Sequence, residues 1–364
     1  MVLGLSEDRP EVEAAIRRVI DRGWFVLGPE VEAFEAEFAA ACGAPHAVGV
    51  NTGTDALMLS LRALDIGPGD EVITAPLTAA YTALAIRMAG ATPVFADIDP
   101  IRCSLAPRAV EAAITSRTRA IMPVHLYGQA ADMAAFEAIA SRHGLAIVED
   151  CAQAHLATSD GRPVGTIGAA GAFSFYPTKN LGALGDGGAI ITRDAALAAR
   201  LRRLRNGGQS DRYCHVEAGV NSRLDEIQAA ILRARLPRLP AWTARRRQLA
   251  ARYRAGLQGA PVVVAPEMDA GHVYHLFTVR THDRDALQAH LAAAGIGTLV
   301  HYPLTVPRQP AFADLAAAAC VEADRVAAEV LSLPLRPAMS EAMVDDVATA
   351  IGRYQAPGAR AANR

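Results

Sequence analysis

Lysine is almost missing from this chain. Of its 36 basic side chains one is lysine, Lys179, and the rest are arginine. A lysine kept where arginine otherwise supplies every positive charge is either a chance survivor or a position that needs an amine. Other absences narrow the possibilities. The five cysteines (Cys42, Cys103, Cys151, Cys214, Cys320) are scattered with no C-x-x-C pair, which excludes a disulfide framework and a zinc site and suits the reduced thiols of a cytoplasmic protein. A formal charge of −2 argues against a nucleic-acid binder. Uncharged stretches such as 38–54 and 163–178 are broken by glycine, proline and polar residues, so no membrane span is expected. The first residues turn acidic at Glu7 and Asp8, unlike a signal peptide. There is no Walker loop, no G-x-G-x-x-G, no G-x-S-x-G, no H-E-x-x-H and no His/Cys cluster for a metal, and no internal repeat.

What is present is a chain of 364 residues with 51% hydrophobic residues, enough for two domains with a large core. Short apolar runs at 47–50, 71–75, 93–97, 120–125, 145–150, 171–176 and 188–192 read as strands, most of them separated by helical spacing, as at 56–64 and 133–143. That alternation predicts an α/β fold, a mostly parallel sheet flanked by helices, with ligands at the carboxyl ends of its strands. The pattern changes at Leu236-Pro237-Arg238-Leu239-Pro240, where two prolines interrupt a helix predicted over 222–235. An Arg-rich helix (242–257) follows; its Arg245, Arg246 and Arg247 read as a solvated face rather than a phosphate patch. Strands at 261–265, 273–281 and 297–301 with helices at 285–294 and 320–331 predict a smaller α+β domain. The expected division is 1–236 (large domain with an N-terminal helical segment), 237–355 (small domain) and a disordered tail, 356–364.

Three constellations could carry chemistry. Lys179 follows a predicted strand and a proline turn and precedes a glycine-rich stretch, Gly182 to Gly188. An amine there could form a Schiff base or bind phosphate, or be an exposed loop lysine. The strand ending Val148-Glu149-Asp150 places carboxylates at a strand end, where Asp150 could pair with a cationic ring nitrogen, a metal or a catalytic base, or only cap a helix; Gln153 and His155 would lie near the same end. Asn51-Thr52-Gly53-Thr54-Asp55 joins a strand to a helix, and the N–H groups of Gly53 and Thr54 could cradle a phosphate, with ordinary capping by Thr52 or Thr54 as the alternative. His301, at the end of a small-domain strand, faces a cleft between domains or is a buried structural histidine.

A phosphate cradle, a strand-end aspartate and a strand-end lysine, in that order, resemble the type I fold of pyridoxal-phosphate-dependent transferases. The motifs Gly53-Thr54-Asp55-Ala56-Leu57, Glu149-Asp150-Cys151-Ala152-Gln153-Ala154-His155, Ser174 through Gly188, Gly219 through Glu226 and His301-Tyr302-Pro303 are similar to those of the DegT/DnrJ/EryC1/StrS sugar aminotransferases. The segment Phe175 through Gly182 especially resembles enzymes that aminate C3 of dTDP-linked keto-deoxysugars. The resemblance implies that Lys179 binds pyridoxal 5′-phosphate covalently and shuttles the proton, and that Asp150 keeps the ring nitrogen protonated. It places Gln153 by the ring, has Gly53, Thr54 and Ser174 bind the phosphate, and has Asn221 reach that phosphate from the neighbouring subunit of a homodimer. His301, Tyr302 and Tyr176 would border the sugar-nucleotide pocket. Relatives carry a ring-stacking aromatic after the threonine matching Thr78; here that residue is Ala79, and Tyr81 is expected to take over the stacking.

The function expected is therefore transfer of an amine, with L-glutamate as donor, to a dTDP-3-keto-6-deoxyhexose. A 4-keto substrate is the alternative. A dehydratase of the same family would carry histidine in place of Lys179, and a non-catalytic paralogue would have no use for the Asp150/Lys179 pair.

Overall fold

The computed structural model describes residues 7–315 and 319–355; the expected tail, 356–364, lies outside them. Seven strands form the main sheet: β1 (His46–Val50), β2 (Glu71–Thr74), β3 (Thr92–Phe95), β4 (Thr118–Met122), β5 (Ala146–Asp150), β6 (Ala170–Ser174) and β7 (Gly188–Thr192), in the order β1-β7-β6-β5-β4-β2-β3. Their residues are buried almost throughout, which is why they read as continuous apolar runs rather than alternating ones. Strands β6, β5, β4, β2 and β3 are parallel, while β7 runs antiparallel to both β6 and β1. The reason lies between β6 and β7. A parallel return needs a crossover, usually a helix, and residues 175–187 form none, so the chain turns back at the edge it has just reached.

Helices cover both faces. On one, α3 (Gly53–Ala63), α4 (Tyr81–Met88) and α7 (Ala195–Leu204) bury Leu57, Leu59, Leu61, Ile86 and Leu201 against Val48, Val72, Ala120, Ala172 and Ile190. On the other, α2 (Pro29–Ala41) sets Phe34 and Phe38 edge-on against Phe173 and Phe175. Beside it α6 (Met133–His143) buries Phe136 and Ile139 with Val306, Phe312 and Val326. Helix α8 (Glu226–Arg235) begins four residues later than the predicted 222, because Ser222 N donates to Arg205 O (2.9 Å) and extended Asp225 bridges to Val26; Glu226 then turns its carboxylate to the N–H groups of Gly28 (2.9 Å), Glu30 (3.0 Å) and Val31 (2.8 Å) at the start of α2.

The smaller α+β part joins α9 (Leu239–Gly256), α10 (Arg284–Ala293) and α12 (Glu341–Gly352) to an antiparallel sheet of β8 (Val263–Val264), β9 (Phe277–Arg280) and β10 (Val330–Leu333) around Tyr253, Leu291, Leu331 and Ile351. The segment predicted as one helix over 320–331 is helix Val321–Glu329 followed directly by β10. Of 297–301 only Leu299 pairs, bridging to Ser332, and 273–276 lie outside β9. The solvated-face expectation fails at Arg246, which is buried and donates to the carbonyls of Tyr274 (3.2 Å), His275 (3.4 Å) and Leu335 (3.1 Å); Arg247 is exposed and Arg245 half-buried, and they donate to His272 O and Met339 O. Among the described residues no helix is long and apolar enough to cross a membrane.

Candidate active site

Strand β5 ends in two carboxylates whose side chains, by the period of a strand, leave on opposite faces. Glu149 accepts from Gly165 N (2.7 Å), Ile167 N (2.8 Å), Gly168 N (2.7 Å) and His125 Nε2 (3.0 Å) and is completely consumed in holding the 165–168 loop. Glu149, His125 and Cys151 lie close enough to suggest a metal site, but the Glu149 oxygens and both His125 ring nitrogens are already taken by hydrogen bonds, which leaves the Cys151 sulfur alone to face an ion. Asp150 is held differently. Among the described residues its oxygens accept only from Thr82 Oγ1 (2.8 Å) and Ala152 N (3.1 Å). Burial raises its pKa, and the two donors and the Lys179 ammonium counter that rise.

Lys179 lies beyond Ser174, the last residue of neighbouring β6, in a turn closed by its own N–H to Tyr176 O (2.8 Å). Asn180 anchors that turn: its Nδ2 donates to Val273 O (3.1 Å) and its Oδ1 accepts from His275 Nδ1 (3.2 Å). Lys179 is half-buried and its amine lies within the field of Asp150; burial lowers its pKa from 10.5 to about 8, with Asp150 opposing the shift. His155, His275 and His301 lie within reach of its field, and burial holds all three below the ordinary histidine range, His155 at about 3. His155 is buried against Phe173 and Phe175 with neither ring nitrogen partnered among the described residues.

The N-terminus of α3 is brought against the same edge. Thr52 is its cap, accepting from Asp55 N (3.0 Å) at its hydroxyl and from Ala56 N (3.0 Å) at its carbonyl, which leaves the N–H groups of Gly53 and Thr54 free for a ligand. A Cβ on Gly53 would stand 2.7 Å from Ser174 Cβ, so only glycine lets the helix end meet the Ser174 hydroxyl. Two N–H groups, two hydroxyls and a helix N-terminus make a cradle for a phosphate.

The opposite wall comes from Gln153 and the 301–302 segment. Gln153 Oε1 accepts from Tyr127 N (2.7 Å), which turns Nε2 toward Tyr302 Oη (3.2 Å). His301 Nδ1 pairs with Ser332 Oγ (2.9 Å). Tyr302 is half-buried, and desolvation pushes its phenol up to about 12, with Asp150 and Tyr81 also raising it. Tyr81 itself is 63% exposed at the start of α4, and Tyr176 and Asn221 are exposed as well. Asn221 adjoins Ser222, whose hydroxyl donates to Asp55 Oδ2 (2.7 Å) in the first turn of α3.

Sequence reasoning missed Thr82, Asn180, His275 and Tyr127. Thr82 is one residue from the singled-out Tyr81 and Asn180 one from Lys179, and positive-φ Tyr127 precedes Gly128 in a turn. Proximity along the chain was the available signal for the first two; His275 gives none.

The profile of the DegT/DnrJ/EryC1/StrS aminotransferase family matches residues 6–352. The chain is 54% identical to the dTDP-3-amino-3,4,6-trideoxy-alpha-D-glucose transaminase of Streptomyces venezuelae, covering 91% of this chain and 89% of that protein. It is 48% identical to the UDP-N-acetyl-3-dehydro-alpha-D-glucosamine 3-aminotransferase of Acidithiobacillus ferrooxidans, covering 95% and 94%. Its fold superposes on the crystal structure of S. venezuelae DesV in complex with a ketimine intermediate with a TM-score of 0.92 at 52% identity, over 95% of this chain and 94% of that one.

Proposed function

Because this chain belongs to the DegT/DnrJ/EryC1/StrS aminotransferase family, and is thus a pyridoxal-phosphate-dependent sugar-nucleotide aminotransferase, we propose that it moves an amino group from L-glutamate to C3 of a dTDP-linked 3-keto-6-deoxyhexose. Two relatives at 54% and 48% identity carry names that place the amine at C3, one on a dTDP sugar and one on a UDP sugar. The greater identity to the dTDP enzyme favours that nucleotide.

The observation that carries the chemistry onto named residues is the meeting at one sheet edge of Lys179, buried Asp150 within the field of its amine, and the Gly53–Ser174 cradle. When bound, pyridoxal phosphate supplies an aldehyde that takes the amine and a ring that accepts electrons released at the substrate carbon. The residues present fit it. The Gly53 and Thr54 N–H groups, with the hydroxyls of Thr54 and Ser174, hold the phosphate. Asp150, whose charged form the donors Thr82 and Ala152 N favour against its burial, would hold a proton on the ring nitrogen. Lys179 is the covalent anchor and afterwards the base and acid that carries a proton at Nζ; with its pKa near 8 a working fraction is neutral at physiological pH. Gln153 would serve the polar edge of the ring and Tyr81 its face, and Tyr302, His301 and Tyr176 would border the sugar nucleotide.

Exposed Asn221 serves the partner's phosphate site in a homodimer, and exposed Trp24, Phe25 and Val26 supply apolar surface for such a contact. The boundary near Leu236 divides the large and small domains of this cytoplasmic enzyme.

The test loads the protein with pyridoxal phosphate, adds L-glutamate and follows cofactor absorbance. Keto sugars linked to dTDP or UDP, 3-keto and 4-keto, are then added. Reversal of the glutamate-induced change by the dTDP-3-keto sugar, with an amino sugar formed, is expected; reversal only by 4-keto or UDP-linked sugars rejects the assignment.

A further inference from the structure

The turn Leu126–Gly128 joins the two walls of the site. Tyr127 adopts φ 60°, ψ 4°, a left-handed conformation that a bulky residue takes only when its surroundings hold it there. They do. Its N–H donates to Gln153 Oε1 (2.7 Å), its carbonyl accepts from Leu276 N (3.3 Å), and Gly128 O accepts from Val273 N (2.9 Å). A Cβ at Gly128 would lie 2.8 Å from His275 N, so the turn is pressed against the segment that also anchors Asn180. The phenol is buried, and its hydroxyl donates to the His301 carbonyl oxygen.

From these contacts we infer that Tyr127 is a positioning residue for the sugar nucleotide: its backbone orients the Gln153 carboxamide toward Tyr302, and its hydroxyl fixes the 301–302 segment that carries the pocket wall. This rests on the function proposed above. The bonds that hold Asp150 and Lys179 come from Thr82, Ala152 and Asn180, none of which involves the Tyr127 side chain. The hydroxyl therefore acts on the larger substrate and not on the proton-moving pair.

Y127F removes the hydroxyl while keeping the ring, the turn and the bond to Gln153. It leaves the His301 carbonyl without its donor, and loss of such a buried bond is worth about ten-fold. The expected result is a KM for the dTDP-3-keto sugar raised about ten-fold, with kcat and the glutamate half-reaction within about two-fold of wild type. S332A frees the same segment from its other side and should raise the same KM. The double variant should then show less than the product of the two effects, since both bonds restrain one segment. An unchanged KM in Y127F, equal slowing of both half-reactions, or effects that multiply in the double variant would overturn the inference. Wild-type protein that aminates no keto sugar nucleotide counts instead against the function; wild-type activity with an unaltered Y127F counts against Tyr127 alone.

Discussion

Adjacent carboxylates at the end of β5 should respond to the same substitution in opposite ways. All four partners of Glu149 are donors, because His125 Nδ1 accepts from Ala131 N (3.1 Å) and so leaves the ring proton on Nε2. In Glu149→Gln the carboxamide oxygen can serve two of them, and its NH2 is forced against the other two. Bonds to a charged acceptor contribute about 1.5–3 kcal/mol each, so two lost bonds suggest roughly 3–6 kcal/mol. Single substitutions seldom exceed about 4–5 kcal/mol, which sets the expectation at about 4 kcal/mol. In Asp150→Asn the carboxamide oxygen keeps Ala152 N, the Thr82 hydroxyl can rotate to accept from the new NH2, and a carboxylate disfavoured by burial disappears. Its stability should change by less than about 1 kcal/mol, while turnover falls by about three orders of magnitude, on the scale of losing a group that stabilises developing charge. Urea unfolding of the cofactor-free proteins, followed by far-ultraviolet circular dichroism, separates the two, since bound cofactor would itself shift the midpoint. At a slope of about 3 kcal/mol per molar, Glu149→Gln should unfold roughly 1 M earlier. Equal midpoints for wild type and Glu149→Gln, or a stable Glu149→Gln protein without activity, would refute this division of roles.

Two further outcomes follow from groups around the same edge. Only the neutral amine of Lys179 attacks an aldehyde, so cofactor capture by the cofactor-free enzyme should rise about tenfold per pH unit up to about 8 and level off above it. Rapid-mixing absorbance checks this, a midpoint near 10.5 would contradict the burial of the amine, and Lys179→Arg should give no borohydride-fixed adduct. The Thr82 hydroxyl lowers the Asp150 pKa, so Thr82→Val should raise it. In the proposed role the carboxylate is the working form, so activity should be lost as pH falls through that pKa; the acid limb of the kcat profile should therefore move to higher pH, and an unmoved limb would show that Asp150 does not control it.

Much of this architecture was legible because its signals are local. Each main-sheet strand is a short apolar run, and Lys179, Asp150, Gly53 and Ser174 fall at or just beyond strand ends, where an α/β sheet puts its ligands. What escaped depends on contacts distant in sequence. Tyr127 and His301 meet across 174 positions, and Asn180 and His275 across 95, with no periodicity to announce them. The run Val330-Leu331 is apolar whether helix or strand; its pairing with Phe277 through Arg280 decides, and nothing near it in sequence reports that pairing. Arg246 reads as solvated because charge in an arginine run is normally exposed, yet three carbonyls from two other segments hold its Nη1 in the interior, where its Nε finds no partner among the described residues.

The antiparallel course of β7 has its own consequence for the cofactor. Because the strand begins at the edge where β1 ends, its first residue, Gly188, lies against the cap of α3: a Cβ there would stand 2.4 Å from Thr52 O and 2.8 Å from Gly53 N. No side chain can yield at this point, since both neighbours are backbone. Gly188→Ala should therefore push the Thr52–Gly53 peptide away from Ser174 and open the phosphate cradle, while Lys179 and Asp150, held through Asn180 and Thr82, keep their places. Loss of one or two N–H bonds to a phosphate, at about 1.5–3 kcal/mol each, predicts at least a ten-fold weaker affinity for pyridoxal phosphate with kcat at saturating cofactor within a few-fold of wild type. Equilibrium titration of cofactor by absorbance measures the first and steady-state turnover the second. If affinity is unchanged, the helix end does not hold the phosphate, and if kcat falls as far as affinity, the cradle and the proton-moving pair are not separable as their contacts imply.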